Sequence, residues 1–394
     1  MRIKYFGSVL LSTLLMASLI AILSFGMTSQ TASASPSPEN FTIVALPDTQ
    51  YYSQSHPEIF ENQTEWIVQH KDENNIVFVA HLGDIVNVNN NDYQWQNADN
   101  AMSILDNKVP YGILPGNHDM DGGYSPPPGA GATYYEKYFP ASRYEGYSYW
   151  GGSYDSTSVT SSSPNMNNYQ LFSAGGMDFI ALSLQYNPPA DVLSWADNVL
   201  SEYSDRRAII STHSYINTSG GLASDGGTAI WDNVVVPENN VFLVLCGHWS
   251  YSGEAAQKID NLGNRTVYQL LSDYQDQSSG GNGWLRIMEF VPSESTIYVR
   301  TYSPYLDQYW TDSANQFELY YPMNATVVTA GGGISPFVYV GVVAVIVVII
   351  AALLILKPFG PAFVSNPQSG AQSLLSALNL ALWGHTRGFG GTGN

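Results

Sequence analysis

The sequence predicts an α/β protein in which two β-sheets pack face to face as a sandwich, helices cover the outside, and one apolar helix follows near the C-terminus. Three observations carry this reading. Strand-like and helix-like segments alternate through the first half, the chain is mainly strand-like from residue 254 onward, and residues 337–356 form an apolar run without a charge. An order β-α-β-α-β implies parallel strands joined by right-handed crossovers.

The alternation begins at residues 41–46, a short apolar strand. Residues 58–70 have helical spacing, with Ile59, Phe60, Trp66 and Ile67 on one side. Residues 76–82 read as strand, 93–105 as a second helix, and 111–114 as a third strand. Residues 121–168, rich in Gly, Ser, Pro and Tyr and without a sustained period, read as a long surface excursion. Strands at 169–172 and 177–184, a helix at 190–203, and buried strands at 207–211 and 241–246 follow. Further strands are expected at 266–271, 284–291, 297–302 and 317–321. The expected arrangement is a parallel sheet from the first half facing a second sheet from the later strands.

The two ends read differently. Arg2 and Lys4, the apolar residues 9–25 and Ala32-Ser33-Ala34 have the order of an export signal, giving a signal peptide at 1–34; a retained N-terminal anchor is the alternative. The apolar run at 337–356 is long enough to cross ~30 Å of hydrocarbon as a helix. Gly331-Gly332-Gly333 opens a hinge at 331–336. Lys357 and Arg387 lie beyond the run and no acid does, so the positive-inside bias places the tail, 357–394, in the cytoplasm and the body, 35–330, outside. Part of that tail, 373–383, reads either as a short apolar helix on the inner membrane face or as disorder.

The net charge is −19, and all 33 acids fall within 35–330. Such a surface argues against nucleic acid, whose phosphates need Lys and Arg, and suits cations. The lone cysteine, Cys246, leaves no intrachain disulfide and reads as a buried thiol.

The chemistry-bearing residues sit where strands end, and in open α/β sheets ligands bind beyond the carboxyl ends of the strands. Asp48 follows the first strand and Asp84 the second. Asn117, His118 and Asp119 follow the third, His213 the strand at 207–211, and His248 the strand at 241–246. Taken singly, each is an ordinary cap or turn residue. Together they present carboxylate, amide and imidazole donors on one rim, which suits two divalent cations.

This ordered set resembles the calcineurin-like metallophosphoesterases over roughly residues 41–303, most specifically in Gly83-Asp84, Gly116-Asn117-His118-Asp119 and Gly247-His248. The resemblance implies a two-sheet sandwich flanked by helices and metal-dependent hydrolysis of a phosphoester. It implies that Asp84 bridges two metals, that Asn117, His213 and His248 complete one of them, and that Asp48 holds the other. His118 would face the scissile phosphate, steadied by Asp119. Two departures fall on the same metal. The family pattern Asp-x-His stands here as Asp48-Thr49-Gln50, and Gly-His-x-His as Gly247-His248-Trp249-Ser250. Gln50 can still offer an amide oxygen, whereas Ser250 is a poor ligand. The expected pair is therefore uneven: a tight ion, Zn or Fe, on the imidazole side, and a weaker one, Mn or similar, at Asp48 and Gln50. His81 reads as a core residue, whereas Tyr51, Tyr52, Tyr215 and the segment Asp273-Tyr274-Gln275 read either as a border of the pocket or as ordinary loop and core residues. Monoester and diester substrates remain open, and the alternative class is a surface ligand-binding protein that keeps the fold with little catalysis.

The topology is testable directly. A chain truncated after Thr329 is expected to be soluble with unchanged activity, and the full chain to stay with membranes through a high-salt wash. Full-length protein in the soluble fraction would contradict the anchor.

Overall fold

The computed structural model describes residues 39–127, 129–154, 164–250 and 254–323. The expected signal segment at 1–34, hinge at 331–336, membrane run at 337–356 and tail at 357–394 lie outside the described residues. Among the described residues no helix is long and apolar enough to cross a membrane.

The first half builds the expected alternation: β1 (Phe41–Leu46), α1 (Gln50–Ser55), α2 (Pro57–Gln69), β2 (Ile76–His81), α3 (Asp92–Ser103) and β3 (Tyr111–Gly112). Pro57 opens α2, where its missing N–H costs nothing and its fixed φ suits the first turn. Asn91 caps α3 by accepting the Tyr93 N–H. Strands β1, β2 and β3 run parallel. The excursion at 121–168 is not structureless, since it holds α4 (Thr133–Tyr138) and β4 (Trp150–Ser153).

Further elements include β5 (Asn168–Ala174), β6 (Met177–Leu184), α5 (Ala190–Glu202), β7 (Arg207–Thr212), β8 (Val241–Cys246), β9 (Ala255–Leu262) and β10 (Arg265–Ser272). The last strands are β11 (Leu285–Val291), β12 (Thr296–Ser303), β13 (Gln308–Trp310) and β14 (Phe317–Tyr320).

The sheets do not divide between early and late strands as expected. One sheet has the order β13-β12-β11-β1-β2-β3, with β14 on β12. The other runs β4-β5-β6-β7-β8-β10-β9. The late strand β11 pairs antiparallel with β1, closing the first sheet around the earliest strand. In the second sheet β6, β7, β8 and β10 are mutually parallel neighbours in that order. Both sheets therefore present the carboxyl ends of parallel strands.

Period-two alternation in the buried strands explains the layering. In β1, Phe41, Ile43 and Ala45 face the core between the sheets, whereas Val44 and Leu46 face the helices. In β7, Ile209 joins the central core and Ala208 and Ile210 the opposite outer layer. The centre is aromatic. Phe41 stacks on Phe290 at 4.7 Å and meets Phe179 edge-on at 5.6 Å, so β1, β11 and β6 are packed across the two sheets.

Phe290 is fully buried in that cluster. Phe290→Ala is expected to cost about 3–5 kcal/mol, the transfer term plus the cavity left between the sheets. Urea unfolding measures it, and a loss below about 1 kcal/mol would contradict this packing.

Candidate metal centre

The loop after β2 sets the geometry. Gly83 and Asp84 both take left-handed backbone conformations, φ 86° and 48°. A Cβ on Gly83 would lie 2.9 Å from both the Gly116 nitrogen and His213 Nδ1, and one on Gly116 would strike Asp84 Oδ1 at 2.1 Å. The two glycines thus let three strand ends close on the Asp84 carboxylate. His248 also sits at positive φ, 73°. Non-glycine residues rarely adopt this conformation, and such strain is retained where the surroundings enforce it.

Asp84, Asn117, His213 and His248 converge. His213 Nε2 lies 3.1 Å from Asp84 Oδ2, 3.1 Å from Asn117 Oδ1 and 3.1 Å from His248 Nδ1. Asp84, His213 and His248 offer ligand atoms all within 4.8 Å of one another. Each donor is aimed by a second bond. His213 donates its Nδ1–H to the Leu82 carbonyl at 2.9 Å. Asn117 donates an amide N–H to the Tyr124 carbonyl at 3.0 Å, which turns its oxygen inward. His248 has its Nε2 3.3 Å from Asp225. Two imidazole nitrogens, an amide oxygen and a carboxylate oxygen fit a borderline divalent cation, and the outer bonds fix the ring tautomers such a cation requires.

The electrostatics follow from this crowding. Burial would raise the Asp84 carboxyl, but the charge and hydrogen bond of His213 outweigh it and hold the group down at about 2. Burial would lower His213, yet Asp84 beside it pushes the imidazole up to about 9. His81, within the sheet, behaves as a core residue as expected. It accepts the Gly83 N–H on Nδ1 and meets Thr49 Oγ1 at 3.0 Å. Burial, with the charge of His213, pulls it down to about 3.

Asp119 is not where the resemblance put it. Its carboxylate accepts the backbone N–H groups of Ile85, Val86 and Gly116 at 2.8–3.0 Å. His118 is steadied instead by the Asn87 carbonyl, to which its Nδ1–H donates at 2.8 Å, and by Tyr124 edge-on at 5.4 Å. The His118 backbone N–H donates to Asp84 Oδ1 at 2.9 Å. Asp119 therefore fastens the β2 and β3 loops together and does not touch the catalytic candidate. Burial and the charge of Asp84 push its carboxyl up to about 8.

The second cluster is carboxylate-rich. Asp48 Oδ1 accepts the Gln50 backbone N–H at 2.9 Å, and its Oδ2 lies 3.4 Å from the Gln50 amide nitrogen. Burial pushes Asp48 up, followed by the charges of Asp273 and Asp84. Ser250 gives its hydroxyl proton to Asp276 at 2.7 Å. One residue went unnoticed in the sequence. Asp225 accepts from Ser214 at 2.7 Å and from Tyr186 at 3.2 Å besides meeting His248. Asp273, in the segment read from the sequence as a pocket border or an ordinary loop, follows β10 as Asp48 follows β1.

Asp119→Asn should leave the ligands in place but set an NH₂ against backbone donors in either amide orientation. A loss of about 1–3 kcal/mol in the metal-free protein is expected, as for an unsatisfied buried hydrogen bond. Undiminished stability with a large loss of activity would return Asp119 to the role of supporting His118.

The family model of calcineurin-like phosphoesterases matches residues 41–251. The uncharacterized protein YvnB of Bacillus subtilis (strain 168) is 37% identical over 279 residues, covering 69% of this chain and 20% of YvnB, so the chain spans about a fifth of that relative's length. Among solved structures, the purple acid phosphatase PPD1 from yellow lupin (Lupinus luteus) seeds aligns over 77% of this chain and 58% of its own at 13% identity and a TM-score of 0.47. The calcineurin-like phosphoesterase YfkN from Bacillus subtilis aligns over 73% and 92% at 12% identity and a TM-score of 0.36. With more than half of its length matched by the family model and the metal-ligand motifs assembled at one rim, the chain belongs to the calcineurin-like phosphoesterase family.

Proposed function

We propose that this chain hydrolyses phosphoesters of small molecules at the outer surface of the cell, through divalent metal ions held on the rim of the two sheets. The observation that carries this is the convergence of Asp84, Asn117 and His248 on the inner nitrogen of His213, all at 3.1 Å. Bound there, cations would neutralise the phosphate's charge and acidify a water for attack.

The chain's own residues do the rest. Asp84 turns Oδ2 toward His213 and takes the His118 N–H on Oδ1, and its carboxylate would be shared by the two cations. With the His118 Nδ1–H committed to Asn87, Nε2 is the nitrogen left for substrate, and it can deliver a proton to the leaving oxygen. Asp225 holds His248 with Nδ1 inward, and Leu82 does the same for His213 Nε2. A nitrogen-rich position favours Zn or Fe, and the oxygen-rich position beside Asp48 and Gln50 favours Mn or a similar hard cation. Placement outside the membrane is supported by the uncharged run at 337–356 with Lys357 and Arg387 beyond it.

Metal-replete protein assayed on a panel of phosphate monoesters and diesters tests the reading. Asp84→Asn should abolish nearly all turnover and lower metal content, because the charge shared by both cations is gone. His118→Ala should keep its metal and lose roughly 10²–10⁴-fold in kcat, the worth of a positioned acid. Equal metal loss in the two variants would make His118 a ligand. No turnover of any ester by the metal-replete wild type would favour the ligand-binding alternative.

A further inference from the structure

The family pattern leaves the second cation position short of two imidazoles, yet the structure supplies another carboxylate. Strand β10 runs parallel to β8 with Leu271 opposite Cys246. Two residues on, Asp273 therefore stands level with His248 at the same rim. Asp273 comes from the second sheet, whereas Asp48 comes from the first.

The two aspartates form a matched pair. Asp48-Thr49-Gln50 and Asp273-Tyr274-Gln275 share the order Asp-x-Gln. In each, the aspartate Oδ1 accepts the backbone N–H of the glutamine two residues on, at 2.9 Å and 3.1 Å. The side chains of Gln50 and Gln275 hydrogen-bond to one another and so clasp the two turns together. The clasp holds the two turns together, and the charge of Asp273 adds to burial in raising the Asp48 carboxyl, so the two aspartates are electrostatic neighbours.

Two oxygens in this cluster have no protein partner: Asp273 Oδ2, on a fully buried residue, and Gln50 Oε1, on a residue 2% exposed. A buried carboxylate oxygen without a donor is costly. His213 eases its charge from a distance, but no described Lys or Arg pairs with it. The described Lys and Arg ion pairs go to Asp72, Asp92, Asp99, Asp106, Asp260 and Glu289. A hard cation, which takes six or more oxygens and draws the rest from water and substrate, would satisfy these two buried oxygens.

We propose that Asp273 is a ligand of the second cation position, completing with Asp48, Gln50 and the shared Asp84 an all-oxygen site for Mn²⁺ or a similar hard divalent ion. It rests on the dinuclear reading of the rim given above. The site takes its fourth protein donor from β10, in place of the imidazole missing at Ser250, whose proton is spent on Asp276.

The test is metal binding, independent of turnover. Chelated protein is loaded with one equivalent of Zn²⁺ and titrated with Mn²⁺ by calorimetry, with both metals then counted. Wild type should take one further Mn²⁺ and show a raised Tm. Asp273→Asn should keep its zinc and bind Mn²⁺ at least about tenfold more weakly. Unchanged Mn²⁺ affinity in Asp273→Asn would overturn the proposal. If that variant does not fold, the wild type still decides, because no Tm rise and no second ion on adding Mn²⁺ would equally overturn it. Two ions bound as expected with no ester hydrolysed would uphold Asp273 and refute the hydrolase reading instead.

Discussion

Burying a carboxylate costs several kcal/mol unless partners replace its water, and this chain buries four at one end of its sheets: Asp48, Asp84, Asp119 and Asp273. Each is met differently. Asp119 is satisfied by three backbone N–H groups and becomes a clamp between the β2 and β3 loops. Asp84 is met by an imidazole and a backbone N–H. Asp48 is met by the backbone and side-chain N–H groups of Gln50, and Asp273 by the backbone N–H of Gln275. The unfinished balance at those two positions is what the proposed second cation would complete.

The sandwich exists to bring these groups together. Parallel strands in both sheets end on the same side, and strictly alternating apolar residues let each strand be buried on both faces. The central aromatic cluster then holds the sheets at a fixed spacing, so that residues from β1, β2 and β3 meet residues from β7, β8 and β10. Strain is stored where they meet, at the positive φ of Asp84 and His248.

Much of this was legible in the residues. Strands 41–46 and 241–246 fall where the apolar runs put them, and helix 58–70 is displaced by one residue. The four candidate ligands Asp84, Asn117, His213 and His248 are found together because each obeys a local rule, a donor just past a buried strand. What was not legible is long-range. Pairing of β11 with β1 joins residues some 250 positions apart, and no periodicity reveals a partner that distant. The role of Asp119 was misplaced because adjacency to His118 in sequence says nothing of which donors the folded loops turn toward it. Asp225 sits in a polar Ser-Asp-Gly-Gly loop without pattern, so only the fold brings it to His248.

The central claim is that Asp84 lies between two cation positions of unlike chemistry. Anomalous diffraction from crystals equilibrated with Zn²⁺ and Mn²⁺, recorded at both absorption edges, tests it most directly. The account predicts a zinc peak ~2.0–2.2 Å from His213 Nε2, His248 Nδ1 and Asp84. It predicts a manganese peak ~3.5–4 Å away on the Asp48 and Asp273 side. Both metals distributed equally over the two positions, or no peak within reach of Asp84, would contradict it.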